Sequence, residues 1–341
     1  MGKTTRRAVL GGVVTTALMP ARATAQQPAM DKAKAQGRVM LYTSLDTKLV
    51  DAIIAAFTDK YGVKVEYYRG GSADVTGKTL AEADAGRTQA DVIDASDLGA
   101  FLAMQQRGLL QPYRSATTAS IAANLRDPGF DWVADRLTQC VIQYNTKEFG
   151  AAPPTSWADL ATPRFKGRLV FFSSENGDGA PRLYTLAKYF GWDLLKRLAD
   201  NKPLRVQTPQ LATQVLESGE RGCAFATNDN IAWRSKLQGK ATDYLFPQVG
   251  VPTEPGGVAL VAKSVRPDAA MLFYDWWMGD AGQKLLVDGG KYSSRTDLPP
   301  PKGNPPLASL KLLTIDYAEY QKNRSDILQR MTDTFGGEWG V

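Results

Sequence analysis

The chain contains no histidine among its 341 residues. Imidazole is the one side chain that ordinarily changes charge between pH 5 and 8. Its absence excludes Ser-His and Cys-His nucleophile systems, His-ligated zinc and imidazole acid–base chemistry. The sequence also lacks a G-x-S-x-G elbow, a P-loop and any G-x-G-x-x-G motif opening a helix. An enzyme built on this chain would have to work with carboxylates or lysine alone. A binding protein with no catalytic residues, no cofactor and no metal is therefore the expectation. Cysteine is scarce too: Cys140 and Cys223 are the two present, both in apolar, strand-like runs. In an oxidising compartment they fit one disulfide or two buried thiols equally well.

Acidic residues are missing from one place in particular. Residues 1–25 carry Lys3, Arg6, Arg7 and Arg22 and no Asp or Glu. The apolar stretch from Ala8 to Met19 is too short to span a bilayer, which takes about 20 residues. Ala23-Thr24-Ala25 then precedes Gln26. A positive start, a short apolar stretch and a small-x-small site read as a secretory signal cleaved near Ala25, which places the protein in the periplasm. Thr5-Arg6-Arg7-Ala8-Val9-Leu10 is similar to the twin-arginine signal, with general secretion as the alternative. No cysteine stands at the cleavage site, so no lipid anchor is expected.

Removing that leader takes away four of the 41 basic side chains and none of the 35 acidic ones, leaving a formal net charge near +2. Nothing in that balance calls for nucleic acid or a membrane surface as partner. The remaining chain, about 315 residues, exceeds one comfortable core and predicts two domains.

What is present is an alternation of strands and helices. Arg38 to Tyr42 reads as a strand, and Thr43-Ser44-Leu45-Asp46 then caps a helix running to about Tyr61, with Leu49, Ile53, Ile54 and Phe57 on one face. Val63 to Tyr67 and Ala90 to Asp94 read as further strands, with polar or amphipathic helices after Gly70-Gly71-Ser72 and around Leu98 to Arg107. From residue 138 the same logic repeats, with strands at Thr138–Tyr144, Arg168–Phe172, Gly222–Thr227 and Gly257–Val261, and helices between them. Trp276 and Trp277 sit with Phe273 and Tyr274 in a helix read as core. Leu310 to Met331 holds the last helical material. This pattern argues an α/β fold with a parallel, wound sheet.

The order of these segments resembles the type 2 periplasmic solute-binding proteins, in the branch that contains ferric-ion, phosphonate and sugar-phosphate receptors. The residues that carry the resemblance include Leu41-Tyr42-Thr43-Ser44, Gly70-Gly71-Ser72, Tyr144-Asn145-Thr146, Pro154-Thr155-Ser156-Trp157, Thr227-Asn228-Asp229, Gly257-Val258-Ala259-Leu260 and Tyr292-Ser293-Ser294-Arg295. The resemblance implies two wound α/β lobes joined by a β hinge, a Venus-flytrap that traps a small-molecule ligand between the lobes. It assigns residues 37–137 with about 252–305 to lobe 1, residues 138–251 to lobe 2 and residues 306–341 to a C-terminal helical segment. It implies a monomer whose partner is an ABC permease.

Ligands of open α/β sheets lie beyond the carboxyl ends of the strands, where helix N-termini present free N–H groups. The junctions of this chain place Thr43, Ser44, Ser72, Ser173, Ser174, Asn176, Thr227, Asn228 and Asp229 there, as ligand-binding or merely helix-capping residues. Arg69, Lys78, Arg182 and Arg295 lie near the same junctions, and the resemblance favours Tyr292 with Arg295 at the cleft. The segment Asn228-Asp229-Asn230-Ile231-Ala232-Trp233 lacks the adjacent tyrosines that ferric-ion receptors use at this point. A hard ferric ion needs several anionic oxygens. The expected cargo is therefore an organic anion such as a phosphonate, phosphate ester or carboxylate. A ferric ion is the alternative, and a sensor or a histidine-free enzyme is the alternative of another class.

Overall fold

Strand-forming apolar alternation and capped amphipathic helices produce the first sheet. Strand β1 (Arg38–Thr43) pairs in parallel with β2 (Lys64–Arg69) and with β3 (Val92–Ala95). The helix Thr47–Tyr61 between β1 and β2 begins at Asp46, whose side chain accepts a hydrogen bond from the Leu49 N–H, and it buries Leu49, Val50, Ile53 and Phe57. The computed structural model describes residue 1 and residues 30–96, 98–118, 121–173, 179–337 and 339. Residues 2–25 of the expected leader, and the candidate site residues Ser174 and Asn176, lie outside the described residues.

Among the described residues nine more strands join the sheet: β4 (Leu110–Gln111), β5 (Val133–Asn145), β6 (Leu169–Phe172), β7 (Leu204–Val206), β8 (Cys223–Asn228), β9 (Thr242–Leu245), β10 (Val251–Val261), β11 (Tyr292–Ser293) and β12 (Leu312–Leu313). The main order is β2-β1-β3-β10-β5-β8-β6-β7. The two long strands carry the chain between two α/β lobes. Residues Val133 to Gln139 of β5 pair with β10, whereas Cys140 to Asn145 pair with β8 and β9. Both strands begin earlier than local pattern predicts. In β5 the charged Asp135 and Arg136 interrupt the apolar run, and in β10 Pro252, Pro255, Gly256 and Gly257 do so. A register shift between Gly256 and Gly257 absorbs the irregularity.

Each lobe has its own core. In the first, Phe57 packs against Phe273 and Trp276, and Trp277 is fully buried, as expected for the Trp276-Trp277 helix. In the second, Phe171 stacks on Phe225, and Trp157, Phe165 and Leu195 fill the space around them. The helix Arg324–Phe335 adds Ile327, Leu328 and Met331 to this second core, and Trp339 closes over Phe171. Cys140 and Cys223 are both free and buried.

Candidate functional site

A cavity of about 500 Å³ lies between the lobes. Its walls come from the starts of six helices of nine or more residues: Thr47–Tyr61, Ser72–Asp84, Ala180–Phe190, Pro209–Ser218, Asp229–Leu237 and Arg324–Phe335. The residues contributed are caps or first-turn positions, among them Asp46, Ser72, Gly179, Thr208, Asn228 and Arg324. Peptide dipoles leave a partial positive charge at each such end.

At the base of the cavity stands Arg136, on β5 and 2% exposed. Its Nη1 donates to Asp94 and to both oxygens of Asp135, at 2.8 and 3.0 Å for the latter. Its Nη2 donates to Ser44 Oγ and Ser96 Oγ, each at 3.2 Å. Burial works against the guanidinium charge, but Asp135 and Asp94 outweigh it and push the pKa of Arg136 up. Gly256 on β10 makes room for this side chain: a Cβ there would lie 2.5 Å from Arg136 Cζ. Burial also raises Asp135 to about 7, against the pull of Arg136.

Arg182 anchors the opposite wall. It donates to the Ala226 carbonyl at 3.0 Å and to Asn228 Oδ1 at 2.6 Å, pairs with Glu254, and lies 4.8 Å from the Phe172 ring centre. Among the described residues, two cations facing the cavity, Arg69 and Lys291, have no carboxylate within 4 Å. Arg69 donates only to the Leu45 carbonyl, at 3.2 Å. Lys291, 9% exposed, has no side-chain hydrogen bond or ion pair among the described residues. Burial, with Arg136 second, lowers Lys291 to about 8.

Of the candidates read from sequence, Ser44, Ser72 and Asn228 line the cavity, as do Arg69 and Arg182. Thr43 lies behind it, donating to Asp94 Oδ2 at 2.5 Å. Ser173, Thr227 and Asp229 are buried beneath the wall, and among the described residues the Ser173 and Thr227 hydroxyls and Asp229 Oδ2 have no hydrogen-bond partner. Asp229 Oδ1 accepts from the Gln139 N–H at 3.2 Å, and burial raises this carboxyl to about 7. Tyr292 and Arg295 are placed elsewhere. The Tyr292 hydroxyl donates to the Pro305 carbonyl at 2.7 Å, and Arg295 pairs with Asp280 and Asp297 at 2.7 and 2.6 Å. Lys78 instead pairs with Glu82 at 2.7 Å, beside the Tyr42 and Tyr68 rings.

The residues that sequence reasoning missed are Arg136, Glu254, Lys291 and the C-terminal group Tyr317, Tyr320, Gln321 and Arg324. Arg136 carried a usable signal, an Asp-Arg pair in the middle of a strand-like run. Lys291 directly precedes the Tyr292-Ser293-Ser294-Arg295 motif. The C-terminal group had no local signal.

Two α/β lobes with a cation-lined cavity between them define a ligand-binding protein of the two-lobed periplasmic type. Residues 52–304 match the family described as bacterial extracellular solute-binding protein, and the chain belongs to that family. A protein of Haemophilus influenzae is 27% identical over 313 residues, which span 84% of this chain and 87% of the relative. Iron-bound HitA from Pseudomonas aeruginosa has a similar fold, with a TM-score of 0.75 at 22% identity over 87% of this chain and 99% of HitA. AfuA from Actinobacillus pleuropneumoniae, solved with fructose-6-phosphate bound, gives 0.75 at 24% identity over 88% and 98%.

Proposed function

We propose that this protein is the periplasmic substrate-binding component of an ABC importer and captures a small organic anion, such as a phosphate ester, phosphonate or carboxylate, between its lobes. The observation that carries this reading is the convergence of six helix N-termini on one cavity. An anion at a helix N-terminus is favoured by about 0.3–1 kcal/mol per helix. Arg69 and Lys291 add charge that no carboxylate among the described residues neutralises by direct contact. The serine hydroxyls of Ser44 and Ser72, and the Asn228 amide, supply directional hydrogen bonds. Closure of the lobes over the ligand would create the surface that a membrane permease reads. The protein acts as a monomer and turns nothing over.

AfuA, a relative in fold, was solved with a sugar phosphate, which fits this reading. A ferric cargo is the second reading. HitA was solved with iron bound, and Tyr317 and Tyr320 stand in the cavity wall of this protein. The cationic excess of the cavity weighs against it. Among the described residues no group of three or more Asp, Glu, Cys or His side chains is placed to hold a metal.

A thermal-shift screen of phosphate esters, phosphonates and carboxylates tests the leading reading. Ligand binding to the folded state raises Tm by mass action, about 2.7 kcal/mol of stabilisation at one hundred times Kd. A screen with no anion hit sinks it. Addition of Fe(III) that develops a tyrosinate charge-transfer band would move the reading to iron.

A further inference from the structure

We infer that Lys291 is the cation that closes on the ligand's anionic group, and that anion capture by this cleft takes up a proton. The inference rests on the anion-receptor reading and deepens it. Lys291 lines the cavity, is nine-tenths buried, and has no partner for its ammonium among the described residues. Burying a cation without a partner is unfavourable. A ligand anion supplies what the protein withholds.

The charged groups that face Lys291 come from three elements. Asp135 and Arg136 belong to β5, Asp229 opens the helix Asp229–Leu237 from the other lobe, and Asp46 caps the helix Thr47–Tyr61. Arg136 is already neutralised by Asp94 and Asp135. Among the described residues Asp229 keeps one carboxyl oxygen without a hydrogen bond, and its field acts on Lys291 from behind the wall. The free protein thus holds a lysine at about 8 and two carboxyls, Asp135 and Asp229, at about 7. An arriving anion favours the protonated form of all three, so the complex binds more protons than the free protein. Affinity is level at acidic pH, where these groups already carry their protons. It falls as pH rises through the values of the free protein.

Inorganic sulfate is the probe of choice because it stays a dianion throughout the range used. Its affinity is measured by isothermal titration at low ionic strength, in buffers of two different ionisation heats, from pH 6 to 9. Wild-type protein is expected to take up protons on binding and to lose up to about tenfold in affinity per pH unit above pH 8. Lys291→Met is expected to lose at least tenfold at pH 6.5. Lys291→Arg keeps its charge throughout. It is expected to retain binding at pH 6.5 and to abolish the fall between pH 8 and 9, which a purely structural lysine would not do.

Circular dichroism establishes that each variant is folded. If Lys291→Met fails to fold, the Lys291→Arg profile decides. Sulfate affinity unchanged in Lys291→Met, or a flat wild-type profile without proton uptake, overturns this inference and leaves the anion-receptor reading standing. Organic anions that bind while sulfate does not also overturn it, because a lysine that grips the headgroup takes a bare dianion. Absence of binding by every anion, sulfate included, removes both.

Discussion

Arg234 Nη2 and Asp46 Oδ2 form an ion pair at 3.1 Å, joining a helix of the second lobe to the residue that caps the first helix of the other. The same Asp46 lines the cavity. The pair thus ties the two lobes together beside the ligand space. Both side chains remain partly exposed, at 37% and 23%. The pair is therefore a modest, salt-sensitive tie, of about 0.5 kcal/mol.

Arg234→Ala should accordingly leave Tm almost unchanged and loosen ligand binding a few-fold, with the difference shrinking in high salt. Asp46→Ala should cost more, because it also removes the cap on the Leu49 N–H, for a loss of about 1 kcal/mol in denaturant unfolding. Calorimetric titration and urea melts at two salt concentrations measure both effects. Equal stability losses in the two variants would contradict the assignment.

Arg136→Met should be far more damaging. It strands Asp94 and Asp135, both fully buried, without their cation. Breaking such a cluster from one side costs about 3–5 kcal/mol. Gly256→Ala attacks the same cluster from β10, since its new methyl must displace the guanidinium. Equilibrium urea unfolding is expected to order the variants as wild type, then Gly256→Ala, then Arg136→Met, from most to least stable.

The buried carboxyls predict an unusual pH profile. Asp229 is held near 7, above its unfolded value, so the stability tied to it is complete below about pH 4 and is lost as pH rises towards 7. Lys291 is held near 8, below its unfolded value, so its contribution runs the other way and grows from about pH 8 upward. Asp229→Asn should therefore gain stability relative to wild type as pH rises from 4 to 7, by about 1 kcal/mol or more. Urea titrations at pH 4.5 and 7.5 test the sign. A gain that is larger at pH 4.5 would refute it.

Cys140 pairs across the sheet with Asn228, whereas Cys223 pairs with Tyr144, four residues further along β5. Burial pushes both thiols up, away from the reactive thiolate. Reducing agent should leave Tm unchanged, and Ellman's reagent should count two thiols only after denaturation. One-half of that count, or none, would indicate a different pairing.

Part of the site was legible because small polar residues mark strand-to-helix junctions. The error at several junctions was one residue wide. Thr43 stands behind the cavity and Ser44 in its wall; Thr227 and Asp229 are buried, while Asn228 and Asn230 line the wall. Successive residues of an extended segment point to opposite faces, and in the first turn of the helix Asp229–Leu237 they are turned by about 100° from one another. A motif can therefore locate a junction without telling which of its neighbours turns toward the ligand. The same holds at Lys291 and Tyr292, where the motif's tyrosine is committed to Pro305 and the lysine before it faces the cavity.

The sequence by itself determined the alternation of strands and helices, the capped start of the helix Thr47–Tyr61, and the exclusion of histidine chemistry. These follow from periodicity and composition, which act over a few residues. Only the tertiary structure decided that Arg136 is neutralised by Asp94 and Asp135 while Lys291 is not, and that six helix ends meet at one cavity. Asp94, Arg136, Asp229 and Lys291 come from four separate segments. The charge each one presents depends on burial and on which partners the fold brings within reach, and no local pattern encodes either.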